Sequence, residues 1–472
     1  VQKTIPYYIL LIPALLAICV VPLAMPHGGV TADSVYYFRI AEQIPEVNWS
    51  LFPWGFPLVL KAINVITNDW FWAGRVSSVL IYLSIILFSY VQKFHFRETV
   101  ILLMTKIFFY SLFNIISEGL FLALMFFQFY FLYEYFRGRR PGFRFYVPAA
   151  ILMALMFTVR YSAVYLFVGM VAFYGYYRTR HKTAFQNRDF LYFLILSALG
   201  IAAYMLFNFI NYGDFAGERY RNLPPADLTD NLGRNVLSVF NSFNPVLGVK
   251  LQGSSTIVMV AETVFLLINM VFIFIAINVW RSYFRHHRGL FHKMLITTGL
   301  VYTVLVFASF YRQGIEELNI RMLAESTFCY LFSLVFILFK QRKHLKIIYT
   351  LAVFSLVFNS LYVLKVPENY LQRKAEVEEV FSEMNGKKYY FIDDLANVRV
   401  KSYRVPFINK EIKYEHSNMN DAMINGSIIM AKDTRVFWIL KDTVQDKSMM
   451  VYSSELRRRW EIVKKKNAAS AE

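Results

Sequence analysis

Residues 257–280 read IVMVAETVFLLINMVFIFIAINVW, with one charge, Glu262. A helix rises about 1.5 Å per residue, so this run reaches about 36 Å and crosses the ~30 Å hydrocarbon core of a bilayer. It ends against Arg281, Arg285, Arg288 and Lys293. Ahead of it lies a long loop, 212–256, that carries Asp214, Glu218, Asp227 and Asp230. One apolar span with a basic end and an acidic end is the pattern from which the rest of the chain is read.

The same window gives about eleven spans, near 5–25, 71–91, 100–116, 119–136, 145–160, 161–177, 190–211, 257–280, 294–311, 322–339 and 346–364. Composition agrees: 57% of the 472 residues are hydrophobic and 17% charged. A soluble protein has about 45–50% and about 25%. Disorder, collagen and a small disulfide scaffold are excluded. The aromatic share of 18%, with 46 Phe and 32 Tyr, is expected on lipid-facing and interfacial surfaces. Cys19 and Cys329 both lie in apolar runs, which argues against a disulfide framework or a thiolate metal site.

The formal net charge is +18. No basic face stands outside the short loops, so the excess reads as the positive-inside bias of a membrane protein and not as a nucleic-acid surface. Alternate gaps carry it: Lys93 and Arg97; Arg137, Arg139, Arg140 and Arg144; Arg178 and Lys182; Lys340, Arg342 and Lys346. The other gaps carry Asp33, Glu42, Glu118, Glu218 and Glu317. The N-terminus is therefore expected inside and the tail outside. The first run could alternatively be a signal peptide, although Leu-Ala-Met-Pro is a poor cleavage site.

The fold expected is an all-α polytopic membrane domain over 1–364, with outer loops at 26–70 and 212–256, followed by a small extracytoplasmic α/β domain over 365–472. Within that tail, Lys388–Asp393 and Arg435–Lys441 read as strands and 372–385 and 453–463 as helices. Two sequons, at Asn48 and Asn425, fall on the expected outer side.

Ionisable residues beside spans are costly, so they ask for a reason. Asp33, Arg39, Glu118, Arg160, Arg312, Glu317 and Arg321 come from several gaps but one side of the bilayer, and could converge on one cavity. The stretch 31–41 suits a short interfacial helix. Asp33 at its start is either a helix cap or a functional acid. A second such helix is expected from Phe56 to Ile66, with Pro57 in its first turn.

Several of these segments resemble the GT-C superfamily of membrane glycosyltransferases, in the bacterial branch of protein O-mannosyltransferases and aminoarabinose (lipid A) transferase. Asp33-Ser-Val-Tyr-Tyr-Phe-Arg-Ile-Ala41 resembles the acidic motif of the first outer loop. Trp54-Gly-Phe-Pro-Leu58 is similar to the G-Y-P-L element, and Trp72-Ala-Gly-Arg75-Val to A-A-R-L. Ser117-Glu118 and Phe157-Thr-Val-Arg160-Tyr161 resemble the S-E and T-R-Y elements. Arg321-Met-Leu-Ala-Glu325 is a poorer likeness of R-Y-L-x-P, lacking tyrosine and proline. The likeness covers roughly the first 180 residues in order, and one element beyond 300.

The resemblance implies transfer of a sugar from a polyprenyl-phosphate donor to a lipid, glycan or protein acceptor on the outer face of a bacterial inner membrane. It implies Asp33 as general base. The phosphate leaves as an anion, so it needs positive charge beside it and no acid. Arg160 and Arg321, with Arg75 and Arg39, are the candidate phosphate clamps, since guanidinium forks match phosphate oxygens. Snorkelling to the interface is the plain alternative for Arg160 and Arg321, a headgroup contact for Arg39 and structural pairing for Arg75. Glu118 is the second catalytic candidate and could instead pair with Arg160. Asp33 and Glu118 are also the candidate ligands of a divalent ion, Mg or Mn, which some members of the superfamily use. Glu218 and Glu317 are candidates on the acceptor side. Competing expectations are a surface-glycan polymerase or ligase, a transporter or lipid flippase, and an assembly protein.

Overall fold

The computed structural model describes residues 5–363 except 26, 48–50, 181–183, 222–230, 249–255, 288, 314, 316 and 343. Beyond 363 it describes 370–371, three short strands and positions 458, 462 and 465.

The described chain is a helical bundle. Seven of its helices are long and apolar enough to cross a membrane: α1 (Ile5–Ala24), α4 (Trp70–Val91), α7 (Ser117–Phe136), α10 (Ala184–Tyr212), α12 (Thr256–His286), α13 (Leu290–Gln313) and α15 (Leu345–Val363). Shorter helices are α2 (Ala32–Gln43), α3 (Gly55–Thr67), α8 (Phe143–Val159), α9 (Ala163–Arg180), α11 (Leu232–Asn241) and α14 (Ala324–Gln341). Each expected span coincides with one helix except 100–116. That run is two helices, α5 (Phe96–Leu103) and α6 (Lys106–Phe113), broken where Thr105 turns extended. The break is filled by the loop after α11. The Lys106 backbone donates to the Pro245 carbonyl at 2.9 Å, and its ammonium to the carbonyls of Asn241 and Leu247. Irregular backbone inside a bundle is tolerated when protein supplies such partners.

Helix ends gather at two poles. At one, Gly142 donates to Asp189 at 2.7 Å, Tyr130 to Gln92 at 2.9 Å, and Tyr349 to the Pro6 carbonyl at 3.2 Å. These residues sit among the basic loops. At the other, Ile115 donates to the Gly29 carbonyl at 2.8 Å and Ser34 to the Ile115 carbonyl at 2.6 Å. The poles match the alternation of charge read from the gaps. The first run packs as a bundle member, with Leu10, Ala14 and Ile18 buried against its neighbours.

Small residues set the closest crossings. A Cβ on Gly200 would lie 2.7 Å from the Ala154 methyl, bringing α10 onto α8, and one on Gly169 would lie 2.8 Å from the Thr298 Cα, bringing α9 onto α13. Aromatics do more than face lipid. Phe332 and Phe336 stack at 3.9 Å, Phe129 and Phe328 at 5.4 Å, and Phe94 and Phe126 join them in the buried core.

Gly29 combines φ +74° with a backbone whose added Cβ would collide with the Phe113 carbonyl oxygen. Gly29→Ala should therefore lower stability by about 1–3 kcal/mol. Gly233→Ala, inside α11 where nothing lies within 4 Å, should raise it by up to about 1 kcal/mol. Thermal unfolding in detergent measures both.

After α15, Tyr370 is buried and stacks on Phe71 at 4.1 Å, which carries the chain back across the pole that holds Gly29. The strands are β1 (Lys388–Ile392), β2 (Lys413–Tyr414) and β3 (Met450–Tyr452), paired in parallel in the order β2-β1-β3. The expected strand 435–441, the helical pattern 372–385, most of 453–463 and the sequons at Asn48 and Asn425 lie outside the described residues.

Candidate functional site

Five charged side chains meet at the pole of Gly29, and helix ends place four of them. Asp33, Glu118 and Glu325 stand in the first turns of α2, α7 and α14. Arg160 is the C-cap of α8. Carboxylates at N-termini and a cation at a C-terminus complement the helix dipoles. Arg321 comes from the turn that leads into α14. The segment bearing it is held by α11: Asn235 accepts from the Leu318 backbone at 2.9 Å, and Ser238 donates to the Leu318 carbonyl at 2.7 Å.

The five form one alternating chain. Asp33 Oδ2 is 2.8 Å from Arg321 Nη1, and Arg321 Nε is 3.3 Å from Glu118 Oε1. The same Glu118 oxygen pairs with Arg160 Nη1, whose Nε lies 3.2 Å from Glu325 Oε1. Ser162 bridges the last pair, accepting from Arg160 at 3.4 Å and donating to Glu325 at 3.3 Å. Burial is graded along the chain. Glu118 and Glu325 are 1% exposed, whereas Asp33, Arg321 and Arg160 are 13%, 16% and 17% exposed. The two glutamates are thus anchors beneath the arginines, and the arginines with Asp33 are the face a ligand can meet. Three carboxylates face two guanidiniums, so the closed network has no spare positive charge.

Asp33 is not the cap of α2. Thr31 is, accepting from the Ser34 backbone at 3.3 Å while Ser34 Oγ accepts from the Thr31 backbone at 2.8 Å. The capping alternative for Asp33 is therefore corrected. The sequence reading also offered Asp33 and Glu118 as ligands of a divalent ion. Both are committed to the Arg321 guanidinium, and among the described residues no group of three or more His, Cys, Asp or Glu is placed to hold a metal.

The other candidates stand apart from the network. Arg75 is buried and donates to the carbonyls of Phe113 at 2.9 Å and Leu112 at 3.4 Å, at the C-terminal end of α6. Two carbonyls at the end of a helix are thus its contacts through Nη1, the structural pairing that stands as the alternative to a phosphate contact. Arg39 is buried on α2, one turn from Glu42, whose carboxyl burial pushes up and Arg39 partly draws back. Glu317 accepts from Arg234 at 2.9 Å, and Arg234 also reaches Glu262 at 3.7 Å, in a second cluster that ties α11 to α12. Glu218 is exposed and accepts from the Ala216 backbone at 2.9 Å.

Glu325 is the member of the network that the sequence does not single out. Its position four residues after Arg321, at the start of an apolar helix, was the available signal. Comparison with protein-family models, curated proteins and solved structures finds no match.

Proposed function

We propose that this chain is an integral membrane glycosyltransferase that moves a sugar from a polyprenyl-phosphate donor to an acceptor at the pole of Asp33. The observation that carries the reading is the network itself. Asp33, Glu118, Arg160 and Arg321, each drawn from a separate GT-C-like motif, lie in one chain of ion pairs. The same reading counts eleven crossings: α1, α4, the α5–α6 pair, α7 to α10 and α12 to α15. It puts the basic pole in the cytoplasm of a bacterial inner membrane. Asp33 and the tail, as a small α/β domain, then face the periplasm.

The chemistry follows from the graded burial. A phosphate docks only by drawing a guanidinium from a carboxylate. Asp33 is the most exposed of the three acids, so its pair with Arg321 is the one that opens. Donor binding thereby frees the base. The acceptor oxygen or nitrogen then attacks the anomeric carbon as the bond to the phosphate oxygen breaks. Its proton passes to Asp33, and the polyprenyl phosphate departs as an anion held by Arg321 and Arg160. One base opposite one leaving group gives inversion.

A second reading, a polytopic transporter, draws on one observation: α5–α6 is a broken helix with buried Lys106 at the break. Transporters place such breaks at their binding sites. One assay separates the two. The purified full chain in lipid bilayers is offered a panel of polyprenyl-phosphate sugars with envelope lipids and glycans as acceptors. One donor is expected to be consumed, with an inverted product. A retained anomeric configuration rejects direct displacement. Movement of intact donor between leaflets without cleavage selects the transporter.

A further inference from the structure

A cleft opens between α12 and α15, away from the charged network. α12 packs on α14 and α15 on α5, and α14 and α5 form its floor. Its volume is ≈ 500 Å³, with Ile275, Val279, Leu334, Leu338, Ile348 and Ala352 among its walls. Polar side chains on the lining turn back on their own helices or turns: Thr105 donates to the Leu102 carbonyl at 2.7 Å and Asn278 to the Phe274 carbonyl at 2.9 Å. The lip is open to lipid, with Phe274 68% and Ile347 57% exposed. An apolar cleft of this kind takes a hydrocarbon chain.

Its position separates it from the donor site. Leu334 and Leu338 lie about 14–20 Å along α14 from Glu325 and more than about 130° around it, at 3.6 residues per turn. The cleft therefore runs on the far side of α14, toward the basic pole. The loops there are basic, and α5 carries Glu98, which sits 3.4 Å from His95. His344 lines the cleft, and the exposed Arg281 follows the lining residues Asn278 and Val279 on α12. Neither 281–293 nor 340–346 contains an acidic residue. Basic residues at a membrane surface select anionic headgroups.

We propose that the α12–α15 cleft binds an acyl chain of an anionic glycerophospholipid from the leaflet at the basic pole, with the headgroup against Arg281 and His344. This site is independent of the transferase reading.

The test uses phosphatidylglycerol with a diazirine on one acyl chain, photolysed with the full chain in phosphatidylcholine nanodiscs. Labelling of the cleft walls on α12 and α15 is expected to exceed that of the lipid-exposed Leu199 and Phe209 on α10 at least tenfold. Unlabelled phosphatidylglycerol should compete. Ala352→Trp, which fills the cleft, should cut the labelling about tenfold. Arg281→Gln with His344→Gln should remove the preference over a phosphatidylcholine probe. Even labelling of α10 and α12 overturns the site. Competition by polyprenyl phosphate but not phosphatidylglycerol assigns the cleft to the donor and overturns it too. Equal labelling by both phospholipid probes in the wild type overturns the headgroup assignment. The wild-type arms decide alone if Ala352→Trp does not fold.

Discussion

Asp33→Asn should lower turnover of the accepted donor by about 10²–10⁴-fold, the range a positioned general base supplies. The substitution keeps the shape and an oxygen for Arg321, and it leaves the helix cap intact because Thr31 makes it. The protein should therefore fold and keep its donor affinity within a few fold. Measuring turnover and donor binding on the same preparation separates the outcomes. Full activity in the variant removes Asp33 from catalysis. A loss of binding equal to the loss of turnover makes it a positioning residue for Arg321 instead of the base.

Arg160→Leu should be the most destabilising single change in the network, at about 3–5 kcal/mol, because breaking a buried pair strands its partners. Glu118 and Glu325 are each 1% exposed and both pair with Arg160. Arg321 still reaches Glu118 in the variant, but the ion pair of Glu325 is lost. Adding Glu325→Gln to Arg160→Leu should recover a substantial part of the loss, since the stranded charge is then gone. Thermal or denaturant unfolding of the two variants and of Glu325→Gln alone closes the cycle. Independent, additive effects would mean that Glu325 does not anchor Arg160.

Much of the architecture is legible in one dimension, for a physical reason. Hydrocarbon tolerates neither charge nor unpaired backbone, so a span must be a long apolar helix and its loops must carry the charge. That is why 257–280 alone points to α12, and why the expected runs lie on helices. Helix starts were legible too. Asp33 and Glu118 were found because acids beside spans are rare, and both occupy first turns.

The pairings were not legible. Nothing in the local pattern around Arg75 shows that it reaches the end of α6; packing brings the Phe113 carbonyl to it. Similarly, the run 100–116 is apolar enough for one helix, and only the Asn241–Leu247 loop reaching Lys106 accounts for the break at Thr105. Glu325 reads as an ordinary first-turn acid until Arg160 is seen beside it. The sequence by itself determined the membrane class, the helices and the two poles, because solvent and hydrocarbon act on each residue where it stands. Which carboxylate holds which guanidinium was decided by tertiary structure alone, because an ion pair between distant segments depends on how their helices pack.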